Sequence, residues 1–67
     1  MTIKDIVNEH SDWIKEININ GSYTGIYITF FVYDFPEIAI QEKAVKQIRK
    51  VYENCQITFT PHFTLGL

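Results

Sequence analysis

The chain has 67 residues, 46% hydrophobic and 21% charged, with a formal net charge of −2. That length holds one domain, and that balance is globular, not disordered. With a pI near 5.5, the chain is neither a nucleic-acid-binding polycation nor a strongly acidic DNA mimic.

No apolar run approaches the roughly 20 residues that span a bilayer. The longest, residues 26–35, is interrupted by Thr29 and Asp34. The first residues carry Lys4 and Asp5 and no apolar signal core. The expected compartment is therefore the cytoplasm of the producing or host cell, with no membrane partner. Cys55 is the only cysteine, so neither an intramolecular disulfide nor a Cys-based zinc site can form within one chain. A domain of about 60 residues buries only about 60% of its unfolded surface. Such domains lean on disulfides, metals or self-association. The first is excluded and no metal or cofactor motif is visible, so a homodimer is expected. Isoleucine is abundant, and Leu65 and Leu67 are the only leucines. That bias accompanies AT-rich coding, as in a phage or mobile element.

The first element starts as a helix. Thr2 is positioned to cap it, with Asp5 three residues on as a variant capping box. At about 100° per residue, Ile3, Ile6, Val7, His10, Trp13, Ile14 and Ile17 share one face, and Asp5, Glu9, Asp12 and Glu16 the opposite one. The period permits a helix to Ile17. A shorter helix ending near His10 is preferred, because Ser11 and Asp12 compete for backbone hydrogen bonds in a helix interior. A strand then covers about Trp13 to Asn20. Asn20-Gly21 is a strong hairpin signal. A two-residue turn there would set Ile17 opposite Thr24, Lys15 opposite Ile26 and Trp13 opposite Ile28. One face would then hold Trp13, Ile17, Ile19, Ile26, Ile28, Phe30 and Val32.

Residues 23–33 are rich in β-branched and aromatic side chains and apolar on both faces, which reads as a central strand. Pro36 and Glu37 mark the start of a second helix running to about Asn54. Its expected buried stripe is Ile38, Gln41, Ala44, Val45, Ile48, Val51 and Tyr52. Lys43, Lys46 and Lys50 lie outside it, with Glu42 and Lys46 spaced for an i,i+4 ion pair. The last segment alternates, with Cys55, Ile57, Phe59, Pro61, Phe63 and Leu65 on one side and Gln56, Thr58, Thr60, His62 and Thr64 on the other. That is a half-buried strand, and Pro61 belongs at an edge or a bulge. The fold class is α+β in the order α-β-β-α-β, a three-stranded antiparallel or mixed sheet with both helices on one face.

No constellation for catalysis is present. Cys55 and His62 are the obvious nucleophile–base suspects. Their odd separation puts them on opposite faces of an uninterrupted strand, where a nucleophile has no base within reach. His10, His62 and Glu9 lack metal-ligand spacing. The stretch Asn20 to Gly25 lacks the Lys and following helix of a phosphate loop. Its Asn20-Gly21-Ser22 sequon has no meaning without secretion.

The aromatic residues carry more. If Ile26, Ile28, Phe30 and Val32 face the helices, Tyr27, Phe31 and Tyr33 occupy the other sheet face, beside Thr58, Thr60 and His62. Such a face suits a second subunit or a protein target, where aromatic residues are enriched. Stacking of single-stranded bases or a ligand is the alternative. Lys15 alone among the strands supplies positive charge, which argues against nucleic acid. Coverage by the tail from Phe63 to Leu67 is a third possibility. Asp5 and Glu9 on one helix and Lys43, Lys46 and Lys50 on the other offer a secondary electrostatic contact between subunits. The expected function is a non-enzymatic protein-interaction module that homodimerises through its sheet and regulates or inhibits an unidentified protein.

Overall fold

A computed structural model describes residues 1–62. Its elements are α1 (Ile3–Glu9), β1 (Ile14–Ser22), β2 (Gly25–Val32), α2 (Ile38–Val51) and β3 (Cys55–Pro61). The fold is α+β, with a mixed sheet in the order β1-β2-β3. The β1–β2 pair is an antiparallel hairpin and the β2–β3 pair is parallel. A parallel pair cannot be closed by a tight turn, and α2 is the crossover between its strands.

The capping box at Thr2 is complete. Thr2 Oγ1 accepts from the Asp5 amide at 3.2 Å, and the Asp5 carboxylate accepts from the Thr2 amide at 2.9 Å. The helix ends at Glu9 with His10 as its C-cap. The His10 carbonyl then accepts from the Trp13 and Ile14 amides at 3.1 and 2.8 Å. The chain turns through Ser11 and Asp12, so the shorter helix is the one formed. Trp13 belongs to this turn, not to the strand, and is buried there.

The hairpin register differs from the one that Asn20-Gly21 suggests. Those residues lie inside β1, and the turn is at Tyr23–Thr24, with Gly25 at φ +141°. Only glycine enters that region without strain. Ile17 pairs with Phe30 and Ile19 with Ile28. The longer hairpin sets apolar residues opposite each other, where the shorter one would set Ile17 against Thr24. Cross-strand pairs stabilise a sheet residue by residue, and here they outweigh a local turn preference. The shift spans an even number of residues, so the strand residues from Glu16 onward keep the expected faces, whereas a bulge at Lys15 takes that side chain out of the core face and turns Ile14 into it, opposite Val32.

Ile28, Phe30 and Val32 of β2 form the centre of the core with Ile6 of α1, Ala44 and Ile48 of α2, and Trp13 and Ile14. Both helices therefore cover one sheet face. Phe59 of β3 packs on Phe30 at 4.9 Å between ring centroids. α2 stops at Val51, short of Asn54, because Tyr52 takes an extended conformation while its amide still bonds the Ile48 carbonyl at 2.8 Å. Its buried stripe is narrower than the periodicity suggests. Ile38, its first residue, is 66% exposed and Val51, its last, 38% exposed. Among the described residues Glu42 and Lys46 form no ion pair; Lys43 pairs with Glu9 instead.

β3 alternates as expected. Cys55, Ile57 and Phe59 pair with Ile26, Ile28 and Phe30 on the core side. Pro61 ends an edge strand opposite Val32, a position that tolerates its missing N–H. The continuation through Phe63, Thr64 and Leu65, and the coverage of a sheet face by Phe63 to Leu67, lie outside the described residues.

Candidate functional site

Strand pairing writes the outer sheet face as three rows. Asn20, Tyr27 and Gln56 form the first, Asn18, Thr29 and Thr58 the second, and Glu16, Phe31 and Thr60 the third. A central stripe of Tyr27, Thr29 and Phe31 thus runs between polar flanks, on the face away from both helices. Tyr27 is 37% exposed and Phe31 half-buried. The Tyr27 hydroxyl reaches Thr24 Oγ1 at 3.0 Å, which orients the ring at the hairpin end.

The other end of the face carries a second cluster. β1 has a bulge between Ile14 and Glu16, with Lys15 as the extra residue, a device that re-aims side chains. Lys15 Nζ reaches His62 Nε2 at 3.2 Å. An ammonium only donates, so His62 accepts there and carries its proton on Nδ1. The Tyr33 ring meets the His62 ring edge-on at 6.0 Å, and Tyr33 is 57% exposed. Tyr27, Phe31, Thr58 and Thr60 are thus in the rows, while Tyr33 and His62 sit together just past the strand ends. Glu16, Asn18, Asn20, Thr29 and Gln56 complete the face. The β1 residues among them escape a sequence reading because they reach Tyr27 and Phe31 only through the observed register.

The expected charge stripes are partly spent within the chain. Glu9 accepts from Lys43 Nζ at 2.9 Å and from Gln47 Nε2 at 2.9 Å. Those two bonds, Lys43 first, hold the Glu9 carboxyl below its ordinary 4.5. Asp5 lies below its ordinary 3.8 through the Thr2 backbone N–H and then the Thr2 hydroxyl. Lys46 and Lys50 make no ion pair among the described residues.

His10, on the apolar face of the first segment, is buried, at 4% exposed. Trp13 Nε1 donates to His10 Nδ1 at 3.1 Å, so His10 Nε2 carries the proton and donates to Gln47 Oε1 at 2.8 Å. The relay runs Trp13, His10, Gln47, Glu9, Lys43. It ties the end of α1 to α2 with every member satisfied, which is the condition under which a buried polar network stabilises. His10 and Trp13, three residues apart on the apolar side of one segment, are the sequence signal for it.

Cys55 and His62 stay apart. They stand at opposite ends of β3, seven residues apart and about 23 Å by strand rise. The β2–β3 register is unbroken through Pro61, so nothing brings them together. Among the described residues there is no cluster of three or more metal-ligating side chains, and no helix long and apolar enough to cross a membrane. No family model matches the chain, and no curated protein or solved structure matches it either.

Proposed function

We propose that this chain is a non-enzymatic protein-interaction module, a homodimer that regulates or inhibits another protein through its open sheet face. The observation that carries this reading is the stripe of Tyr27, Thr29 and Phe31 on the face that neither helix covers. Rigid aromatic rings with a hydroxyl-rich surround are the composition of protein interfaces, where few residues supply most of the binding free energy. Charge supports a protein partner over single-stranded nucleic acid. Lys15 is the one basic residue on the three strands, and base-stacking surfaces need several to follow a phosphate backbone.

The test has two parts. Sedimentation should give twice the 7.9 kDa chain mass. Affinity capture from host lysate should retain a protein that Tyr27→Ala combined with Phe31→Ala releases while far-UV circular dichroism stays unchanged. A folded double variant that retains the same protein as wild type sinks the sheet face as the working surface.

A further inference from the structure

A second unfilled surface lies between α2 and β3. It is a groove of about 340 Å³ lined by Ile38, Val45 and Phe59, with Glu42, Lys46 and Arg49 along its α2 rim. Beside it, β3 pairs only with β2 among the described residues. An edge strand of this kind presents backbone N–H and C=O groups that can template another strand. Groove and edge together have the shape of a sheet stopped one strand short.

We propose that a second copy of this chain completes it: the two β3 strands pair antiparallel about a two-fold axis, and the two α2 helices lie side by side above the joint. This rests on the homodimer proposed above and assigns the joint to α2 and β3, leaving the aromatic face free for the target. A two-fold interface must be complementary to itself, and the charges of this rim are. Glu42 lies about one turn before Lys46 and two before Arg49. A helix running the opposite way reverses that order and sets Lys46 of each copy toward Glu42 of the other. Both side chains are exposed and neither has an ion pair among the described residues. Arg49 is already anchored, donating to the Cys55 carbonyl at 3.1 Å, and frames the far end of the groove.

The apolar pattern agrees. A two-fold axis normal to the sheet keeps all helices on one side, so Phe59 and Ile57 of both copies face the same helical layer. Neighbouring strands lie about 4.8 Å apart, so helices riding on each β2–β3 pair would stand about 10 Å from one another, the ordinary spacing of packed helices. Ile38 and Val45, left open in one copy, are covered by the joining of two.

The test is sedimentation of the full chain, with far-UV circular dichroism confirming the fold of each variant. Wild type and Tyr27→Ala/Phe31→Ala are expected to dimerise alike. Glu42→Lys alone and Lys46→Glu alone should each raise the dissociation constant about tenfold or more, by setting like charges together. The double swap Glu42→Lys/Lys46→Glu restores the complement and should recover most of the loss. Single swaps that dimerise like wild type overturn the α2–β3 joint. A monomeric Tyr27→Ala/Phe31→Ala variant, folded, overturns it too and moves the joint to the sheet face. A monomeric wild type overturns the homodimer itself, while capture of a target through the sheet face is judged separately. A wild-type monomer that dimerises once residues 63–67 are removed overturns the proposal by assigning the groove to the chain's own last residues.

Discussion

Phe30 and Phe31 are neighbours in sequence and alike in chemistry, yet they meet opposite environments. Phe30 is wholly buried against Phe59 and the helices, whereas Phe31 sits half-buried in a row with Glu16 and Thr60. Strand alternation separates them, and the helices decide which side is covered. The lesson concerns apolar runs. A segment that is hydrophobic on both faces need not be covered on both by its own chain. In a domain this small, the second face is where association is to be sought.

The largest expected effect tests this contrast directly. Phe30→Ala should destabilise the domain by about 3–5 kcal/mol, as core aromatic truncations do, which is a large fraction of the stability of a small domain. Phe31→Ala should change the monomer by about 1 kcal/mol, the scale of a cross-strand contact. Urea titration of both variants measures the difference. Equal losses would break the contrast and show that the outer face is buried in solution.

A middle-sized effect sharpens what holds the helices over the inner face. His10→Ala strands the Trp13 indole N–H and the Gln47 carbonyl oxygen, both deprived of their partner. A buried group left unpaired costs about 1–3 kcal/mol, and the midpoint of urea unfolding should fall accordingly. A loss no larger than that of an exposed alanine substitution would mean that apolar packing alone holds α1 to α2.

The smallest effect is the pH dependence. Asp5 and Glu9 both have folded-state values below their ordinary 3.8 and 4.5. A depressed carboxyl stabilises the fold above its unfolded value and loses that contribution as pH falls through the folded one. Stability contributed by these two groups should therefore hold from neutral pH to about 5 and decline through and below the range of pH 4.5 to 3.8. Both side chains lie at the surface, where salt weakens ion pairs, so added salt should shrink the Glu9 part of the decline. Glu9→Gln should flatten the decline, and thermal melts at stepped pH measure it.

Much of the architecture is legible without coordinates. Thr2 with Asp5 marks the first helix, the alternation from Cys55 to Thr60 marks the last strand, and the bulky run after Thr24 marks the central one. These signals are local, since they rest on capping, period and β-branching within a few residues. The even shift of the hairpin explains why the faces were legible although the turn was not. The sheet-face residues of β2 and β3 followed from alternation alone, whereas their β1 neighbours depended on pairing.

The sequence by itself determined the element order, the α+β class and the side of each strand that is apolar, because periodicity is a property of neighbouring residues. Tertiary structure decided the rest. It chose Tyr23–Thr24 over Asn20–Gly21 for the turn, because pairing Ile17 with Phe30 and Ile19 with Ile28 involves residues far apart in the chain. It buried His10 by bringing Gln47 to it from a helix 37 positions away. It also left Ile38 and Val51, the first and last residues of α2, exposed, because coverage of a helical stripe depends on what distant parts of the chain set against it, and no local pattern encodes that.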